Sequence, residues 1–170
     1  MAAGEHKQEA PSQVRCMIIT VSDTRKAAQD KSGKFIQERL EAKGHLVSDY
    51  RIIKDDYNRI QSLLHKAGSD VTVDAVLLNG GTGMAKRDTT CEAVHTLLDK
   101  EMPGFGELFR YLSFAEDIGT AAILSRAVAG VYKDTAVFSM PGSSGAVKLA
   151  LNRLILPELG HVIREIQKDL

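Results

Sequence analysis

Residues 75–90 constrain this chain more than any other stretch. Ala75, Val76, Leu77 and Leu78 form an apolar run with no polar alternation, as a strand covered on both faces requires. The run ends at Asn79 and drops into Gly80-Gly81-Thr82-Gly83. Lys86, Arg87 and Asp88 follow, and Thr89 and Thr90 open a helical pattern marked by Val94, Leu97 and Leu98. A buried strand, a glycine loop and a helix start, in that order, are the usual parts of a phosphate-binding turn. Unpaired N–H groups at the helix start supply the donors.

The same arrangement occurs twice before this stretch. Residues 14–21 (VRCMIITV) read as a strand, closed by Ser22-Asp23-Thr24. Asp30 and Ser32 offer N-caps ahead of Phe35, Ile36 and Leu40, and Gly44 suits the left-handed residue that ends a helix. Residues 46–53 contain a second strand ending in Lys54-Asp55-Asp56. Ile60, Leu63, Leu64 and Ala67 then have helical spacing up to Gly68. Residues 73–78 give the third strand, and the helix after the glycine loop is expected to end near Pro103-Gly104. Three strand–helix alternations predict a three-layer α/β/α sandwich with a mostly parallel sheet and helices on both faces.

Beyond this the pattern changes. Residues 105–114 are helical by spacing, and residues 123–126 fall in a short helical or loop segment. Lys133-Asp134 is a two-residue turn candidate between residues 127–132 and 135–140, which makes the central sheet mixed. Pro141-Gly142-Ser143-Ser144-Gly145 precedes a helical face of Val147, Ala150, Leu151 and Leu154. Pro157 permits a final helix over residues 158–168.

Composition removes several function classes. Lys plus Arg equals Asp plus Glu at 22 each, so the basic excess of a nucleic-acid binder is missing. The chain has no tryptophan, which argues against a stacking platform for single strands. Two cysteines, Cys16 and Cys91, are too few for a disulfide framework. No apolar run approaches ~20 residues, so no membrane span is expected. Residues 1–13 are polar, lack the apolar core of a signal peptide, and read as a flexible arm. Residues 14–170 read as one domain, and a cytoplasmic location is the expectation.

In an open parallel sheet, ligands sit beyond the carboxyl ends of the strands. This chain places Ser22, Asp23 and Thr24 there, with Asp55 and Asp56, the loop Gly80, Gly81, Thr82 and Gly83 with Asp88, and the turn Pro141, Gly142, Ser143 and Ser144. Two glycine- or serine-rich turns before helices suit phosphates, and clustered carboxylates suit Mg²⁺. A Mg²⁺–nucleotide or another phosphoester accounts for both. Each element also has a plainer reading: Asp23 and Asp55 as turn residues or caps, Asp88 as an N-cap, the loops as tight turns. No G-x-x-x-x-G-K-[ST] occurs, and Gly81-Thr82-Gly83 lacks the third glycine of a dinucleotide fingerprint. Cys91 and His95 are four apart, a spacing metal ligands use, but no second pair accompanies them, and a structural role is favoured. Cys16 reads as inert, and His65 and His161 have no visible partner. Arg126 and Arg110 are better anion-binding candidates.

The ordered motifs resemble a known family. Thr20-Val21-Ser22-Asp23, Gly80-Gly81-Thr82-Gly83 with Arg87-Asp88-Thr89-Thr90, Pro103-Gly104-Phe105, Leu124-Ser125-Arg126-Ala127 with Gly130, and Met140-Pro141-Gly142-Ser143 are similar to the MoaB/MogA family of molybdenum cofactor biosynthesis proteins. The gephyrin and plant Cnx G domains belong to the same group. The match runs from residue 14 to about residue 161, and the polar arm is more like the bacterial MoaB branch. Asn79 and Met140 stand where the family more often has threonine or serine, and leucine. The resemblance implies molybdopterin binding and adenylyl transfer from Mg-ATP to the molybdopterin phosphate. Asp55 and Asp88 match the catalytic acids and the candidate Mg²⁺ ligands, the 80–83 and 141–144 turns match the phosphate loops, and Ser22, Asp23, Ser113 and Ser125 match lining positions. It further implies a homotrimer or homohexamer, with other enzymes of the pathway as candidate partners. A molybdopterin carrier or scaffold without catalysis is the main alternative, and a different phosphotransfer enzyme on a similar sheet is another.

Overall fold

The computed structural model describes residues 10–170. Its elements in chain order are β1 (Arg15–Val21), α1 (Lys31–Ala42), β2 (Leu46–Ile53), α2 (Tyr57–Ala67), β3 (Ala75–Asn79), α3 (Thr90–Leu97), β4 (Lys100–Glu101), α4 (Pro103–Glu116), β5 (Val128–Tyr132), β6 (Thr135–Met140), α5 (Ser144–Ala150) and α6 (Leu156–Gln167). Residues 1–9 of the expected arm lie outside the described residues. Its remaining part runs along α6, where a Cβ on Gly160 would stand 2.8 Å from the Pro11 carbonyl oxygen, and Gln13 Nε2 donates to the Gly44 carbonyl at 3.1 Å.

The six strands form one sheet in the order β2-β1-β3-β6-β5-β4. β2, β1, β3 and β6 are mutually parallel, and β5 runs antiparallel to both its neighbours. The sheet is therefore mostly parallel and mixed, as the alternation predicts. Period-two alternation along β1 splits the core in two. Cys16 and Ile18 face one layer, with Ile36 of α1, Phe109 of α4, Val147 of α5 and Ile163 of α6. Met17, Ile19 and Val21 face the other, with Ile60 and Leu64 of α2 and Val94 of α3. Each such fully buried aliphatic side chain contributes about 2 kcal/mol through water exclusion.

Several boundaries depart from expectation for visible reasons. β3 starts at Ala75 because Asp74 turns aside to meet Arg15. It accepts the Arg15 backbone N–H at 2.8 Å, Nε at 2.9 Å and Nη2 at 2.6 Å. Burial works against the Asp74 charge, but the Arg15 bonds outweigh it and hold the carboxyl below its usual range. Pro103 does not mark the end of the preceding helix. α3 stops at Leu97, the two-residue β4 intervenes, and Pro103 opens α4, where its missing N–H costs nothing. The expected break before residue 158 is also absent. α5 runs into α6 through a π-helical turn, Leu151–Ile155, in which the Leu156 N–H bonds to the Leu151 carbonyl just ahead of Pro157.

The hairpin forms without Asn-Gly. Lys133 takes a left-handed φ of 51°, and Asp99 compensates by accepting the Lys133 N–H at 2.6 Å while Lys133 Nζ donates to Ser69 at 2.8 Å. No helix of the described residues is long and apolar enough to cross a membrane.

Candidate functional site at the carboxyl edge of the sheet

The parallel register sets Val21 beside Ile53, Thr20 beside Asn79, and Asn79 beside Met140. The four turns that follow these strands are thereby brought to one rim. Glycine is required in the first loop. Gly80 has φ 99°, and a Cβ there would meet the Val21 carbonyl oxygen at 2.1 Å. Its N–H donates to the Met140 carbonyl at 3.0 Å, which ties the first loop to the start of the second. At Gly81, φ is 66° and a Cβ would stand 2.1 Å from Thr90 Oγ1 and 2.3 Å from Asp55 Oδ2. At Gly83 it would stand 2.5 Å from Asp88 Oδ2. The two acids implied by the resemblance are therefore found against the glycine loop.

The adjacent pair Asp55-Asp56 divides its work. Asp56 caps α2 by accepting the Arg59 N–H at 2.8 Å. Asp55 points to the rim, where Oδ1 accepts from Thr89 N at 3.1 Å and Thr89 Oγ1 at 2.7 Å. Asp55 thus satisfies the start of α3 across the chain, and Thr89 itself makes no side-chain cap bond. Asp88, expected as an alternative N-cap, does not occupy the cap position and sits half-buried at the loop mouth. Asp23 Oδ1 accepts the Asp55 N–H at 3.2 Å. Burial pushes the Asp55 carboxyl up, the Thr89 bonds pull it down, and the nearby Asp88 and Asp23 charges push it up again, for a net rise. A raised carboxyl takes its proton more tightly in the folded chain, so this stabilisation is lost as pH climbs above the ordinary 3.8. Asp55→Asn is accordingly expected to melt at a higher temperature than the parent near neutral pH. The gap should close as pH falls toward the ordinary carboxylate range, and thermal scans across that window check it.

Two buried oxygens at the rim, Asp55 Oδ2 and Thr90 Oγ1, have no hydrogen-bond partner. With the Asp55 carboxylate repelled by its neighbours Asp88 and Asp23, this donor set fits a divalent cation. Among the described residues no cage of three or more His, Cys, Asp or Glu converges, but Mg²⁺ is commonly held by one or two carboxylates together with substrate phosphates.

The second turn lies against the first, since a Cβ on Gly142 would be 3.1 Å from Gly80 Cα. Ser143 caps α5 by accepting the Ala146 N–H at 3.3 Å, leaving Ser144 exposed at the helix start. Ser22 is spent on its own turn, its hydroxyl accepting Arg25 N–H at 3.1 Å. Ser125 closes the turn before Arg126 through its N–H to Ala122. Ser113 is buried in α4, where its carbonyl accepts the Asp117 and Ile118 N–H groups, so its backbone serves the helix end.

Arg126, expected to fork onto an anion, instead forks onto the loop. Nε donates to the Thr82 carbonyl at 2.9 Å and Nη2 to the Gly83 carbonyl at 2.5 Å, while Nη1 pairs with Glu92. Arg110 lines a separate cavity of about 470 Å³ with Cys91, His95 and Arg126. Cys16 and Cys91 are buried free thiols. Burial pushes them up to about 12 and about 11, as inert thiols require. His65 and His161 do have partners, Tyr132 at 2.6 Å and Glu158 at 3.0 Å. Sequence reasoning missed Thr89 and Thr90 as site residues, although their place at a polar helix start was the available signal. It also missed Arg25, which carries no spacing signal.

Comparison with known proteins fits this geometry. Residues 17–161 match the family model described as a probable molybdopterin binding domain. A relative from Halalkalibacterium halodurans named Molybdenum cofactor biosynthesis protein B is 65% identical over 169 residues, covering 99% of each chain. A crystal structure of a Molybdenum cofactor biosynthesis protein B superposes with a TM-score of 0.91 at 56% identity, over 94% of this chain and 99% of the other. The tungsten cofactor synthesizing protein MoaB from Pyrococcus furiosus gives a TM-score of 0.82 at 39% identity, over 93% and 99%. With the fold, the order of the turns and the near-complete overlap in agreement, the chain belongs to the MoaB/MogA family of molybdopterin-binding proteins of molybdenum cofactor biosynthesis.

Proposed function

We propose that this chain transfers the adenylyl group of Mg-ATP to the terminal phosphate of molybdopterin, giving adenylyl-molybdopterin and pyrophosphate. The observation that carries the reading is the meeting of two phosphate-type turns, Gly142 against Gly80, with Asp55 and Asp88 set directly beside the first of them. Two such turns in contact suit two phosphate groups that react with each other. In the reaction a molybdopterin phosphate oxygen bonds to the α-phosphorus, and the bond from that phosphorus to the β-phosphate oxygen breaks. The nucleophile is already an anion, so no histidine or cysteine base is required. The chain's own work is alignment: the 80–83 and 141–144 turns orient the phosphates, while Asp55 fixes the start of α3. Asp88 and Asp55 would hold Mg²⁺, which when bound offsets charge on the triphosphate and on the leaving pyrophosphate. The test is to incubate the protein with ATP, Mg²⁺ and molybdopterin and to follow adenylyl-molybdopterin and pyrophosphate together. A molybdopterin carrier would instead bind the pterin and show no affinity for Mg-ATP in a calorimetric titration.

Self-assembly into a trimer or hexamer belongs to the same reading. Leu108, Tyr111 and Phe114 share one face of α4 by their three-residue spacing, and all are exposed, as are Ile118, Ile123 and Leu124 after it. An apolar face of this extent marks a contact surface. Phe114→Glu would set an unpaired charge in that contact and is expected to reduce the assembly to single chains in light scattering. An unchanged mass would place the contact elsewhere.

A further inference from the structure

Asp30 is a carboxylate with no solvent exposure that has no part in the chemistry above. A buried charge of this kind persists only when several partners hold it. Its Oδ1 accepts the Gly33 N–H at 3.0 Å and so caps α1, and its Oδ2 accepts the Tyr50 hydroxyl at 2.5 Å. Burial, with the bond to Asp30, pushes the Tyr50 phenol above its ordinary range, so it remains a donor. Gly33 must lack a side chain, because a Cβ would stand 2.2 Å from Tyr50 Oη, 2.3 Å from Asp30 Oδ2 and 2.7 Å from Thr20 Oγ1. Thr20 in turn accepts Asn79 Nδ2 at 2.9 Å. The cluster therefore joins the ends of β1 and β3 and the middle of β2 around one negative charge.

The cation facing that charge is Arg25, with Nη1 3.7 Å from Asp30 Oδ1. Arg25 also reaches the rim, where Nη2 donates to the Gly142 carbonyl at 3.1 Å. Ser32, from the first turn of α1, donates to the same carbonyl at 2.9 Å. Two donors converging on one loop carbonyl fix the peptide that follows Gly142, and Gly142 is the residue that touches Gly80. We propose that Arg25 is a positioning residue that, anchored on buried Asp30 and assisted by Ser32, clamps the Gly142 carbonyl and sets the spacing between the two phosphate-binding turns. The proposal rests on the reading that those turns hold the phosphates of the two substrates. Arg25 acts through the loop backbone and its guanidinium is already engaged, so it orients the ligand's cradle rather than the ligand.

The test uses the full chain as Arg25→Ala and Arg25→Lys, with amide hydrogen exchange over residues 140–146 and 80–83 in the absence of ligand, and steady-state adenylyl transfer. In Arg25→Ala, the thermal midpoint should fall because Asp30 loses its cation, and exchange in those two segments should rise by about tenfold more than exchange in α6. The KM for Mg-ATP or molybdopterin should rise by about tenfold with a smaller change in kcat, as lost positioning of bound phosphates requires. Arg25→Lys keeps one charged donor, which reaches Gly142 or Asp30 but not both, and should restore part of each effect. If the parent shows no transfer and no affinity for Mg-ATP, the functional reading fails, and the exchange data still decide the clamp. Unchanged exchange at residues 140–146 in Arg25→Ala overturns it, as does equal behaviour of the Ala and Lys variants. Should Arg25→Ala unfold, Ser32→Ala removes the second donor alone and must raise exchange in the same segment.

Discussion

Under the proposed function, Asp88→Asn is expected to lower adenylyl transfer by about three orders of magnitude while leaving the fold intact, since that reading rests several kcal/mol of charge stabilisation on the carboxylate. The structural reason is that Asp88 does little for folding. It does not cap α3, it is half-buried, and its carboxylate lies in the space left by Gly83. Asparagine has nearly the same shape and fits that space, so the change removes charge and little else. Turnover within about tenfold of the parent, with an unchanged thermal midpoint, would remove Asp88 from the chemistry. Asp55→Asn provides the contrast. It is expected to stabilise the chain near neutral pH, and whatever it costs in activity it exerts in part through Thr89, whose N–H and hydroxyl it holds.

Gly80→Ala should be the most damaging single methyl group at the rim, destabilising the fold by about 3 kcal/mol or more. Two penalties coincide there. The backbone is at φ 99°, which L side chains rarely adopt, and the added Cβ would sit 2.1 Å from the Val21 carbonyl oxygen. Main chain cannot swing aside as a flexible side chain can. Relief requires β1 and β3 to part at their carboxyl ends. Chemical denaturation of Gly80→Ala against Gly104→Ala measures this. Gly104 has open space around its Cβ position and lies in the first turn of α4, so alanine there should be neutral or stabilising by up to about 1 kcal/mol. Equal stability of the two variants would show that the loop is not strained in the manner described.

The parallel core was legible because it depends on local pattern. Unbroken apolar runs, helical spacing in α1 and α2, the Asp30 cap and the left-handed Gly44 are written within a few residues of where they act. What escaped was non-local or too short to carry a period. β4 is two charged residues and exists only because β5 offers it an edge. The π turn depends on how α5 and α6 dock on the sheet. At the site, the acids and glycines were legible as residue types. The assignment of their oxygens was not, since Asp55 meets Thr89 and Arg126 meets Thr82 over separations of 34 and 44 residues. The same distance hid the Tyr132 partner of His65, 67 residues away.

The order of the strands bears on how this protein can meet itself without aggregating. One margin of the sheet is β4, two residues long and charged at both. The other is β2, whose outward positions include Asp49 and Arg51, which pair with each other at 2.9 Å. Neither margin offers a long apolar ribbon for another chain to hydrogen-bond onto, so open-ended growth by strand addition is disfavoured. The self-contact proposed for the α4 face would instead be made by side chains rather than main-chain ladders. Such a contact can close at a fixed number of subunits and then stop.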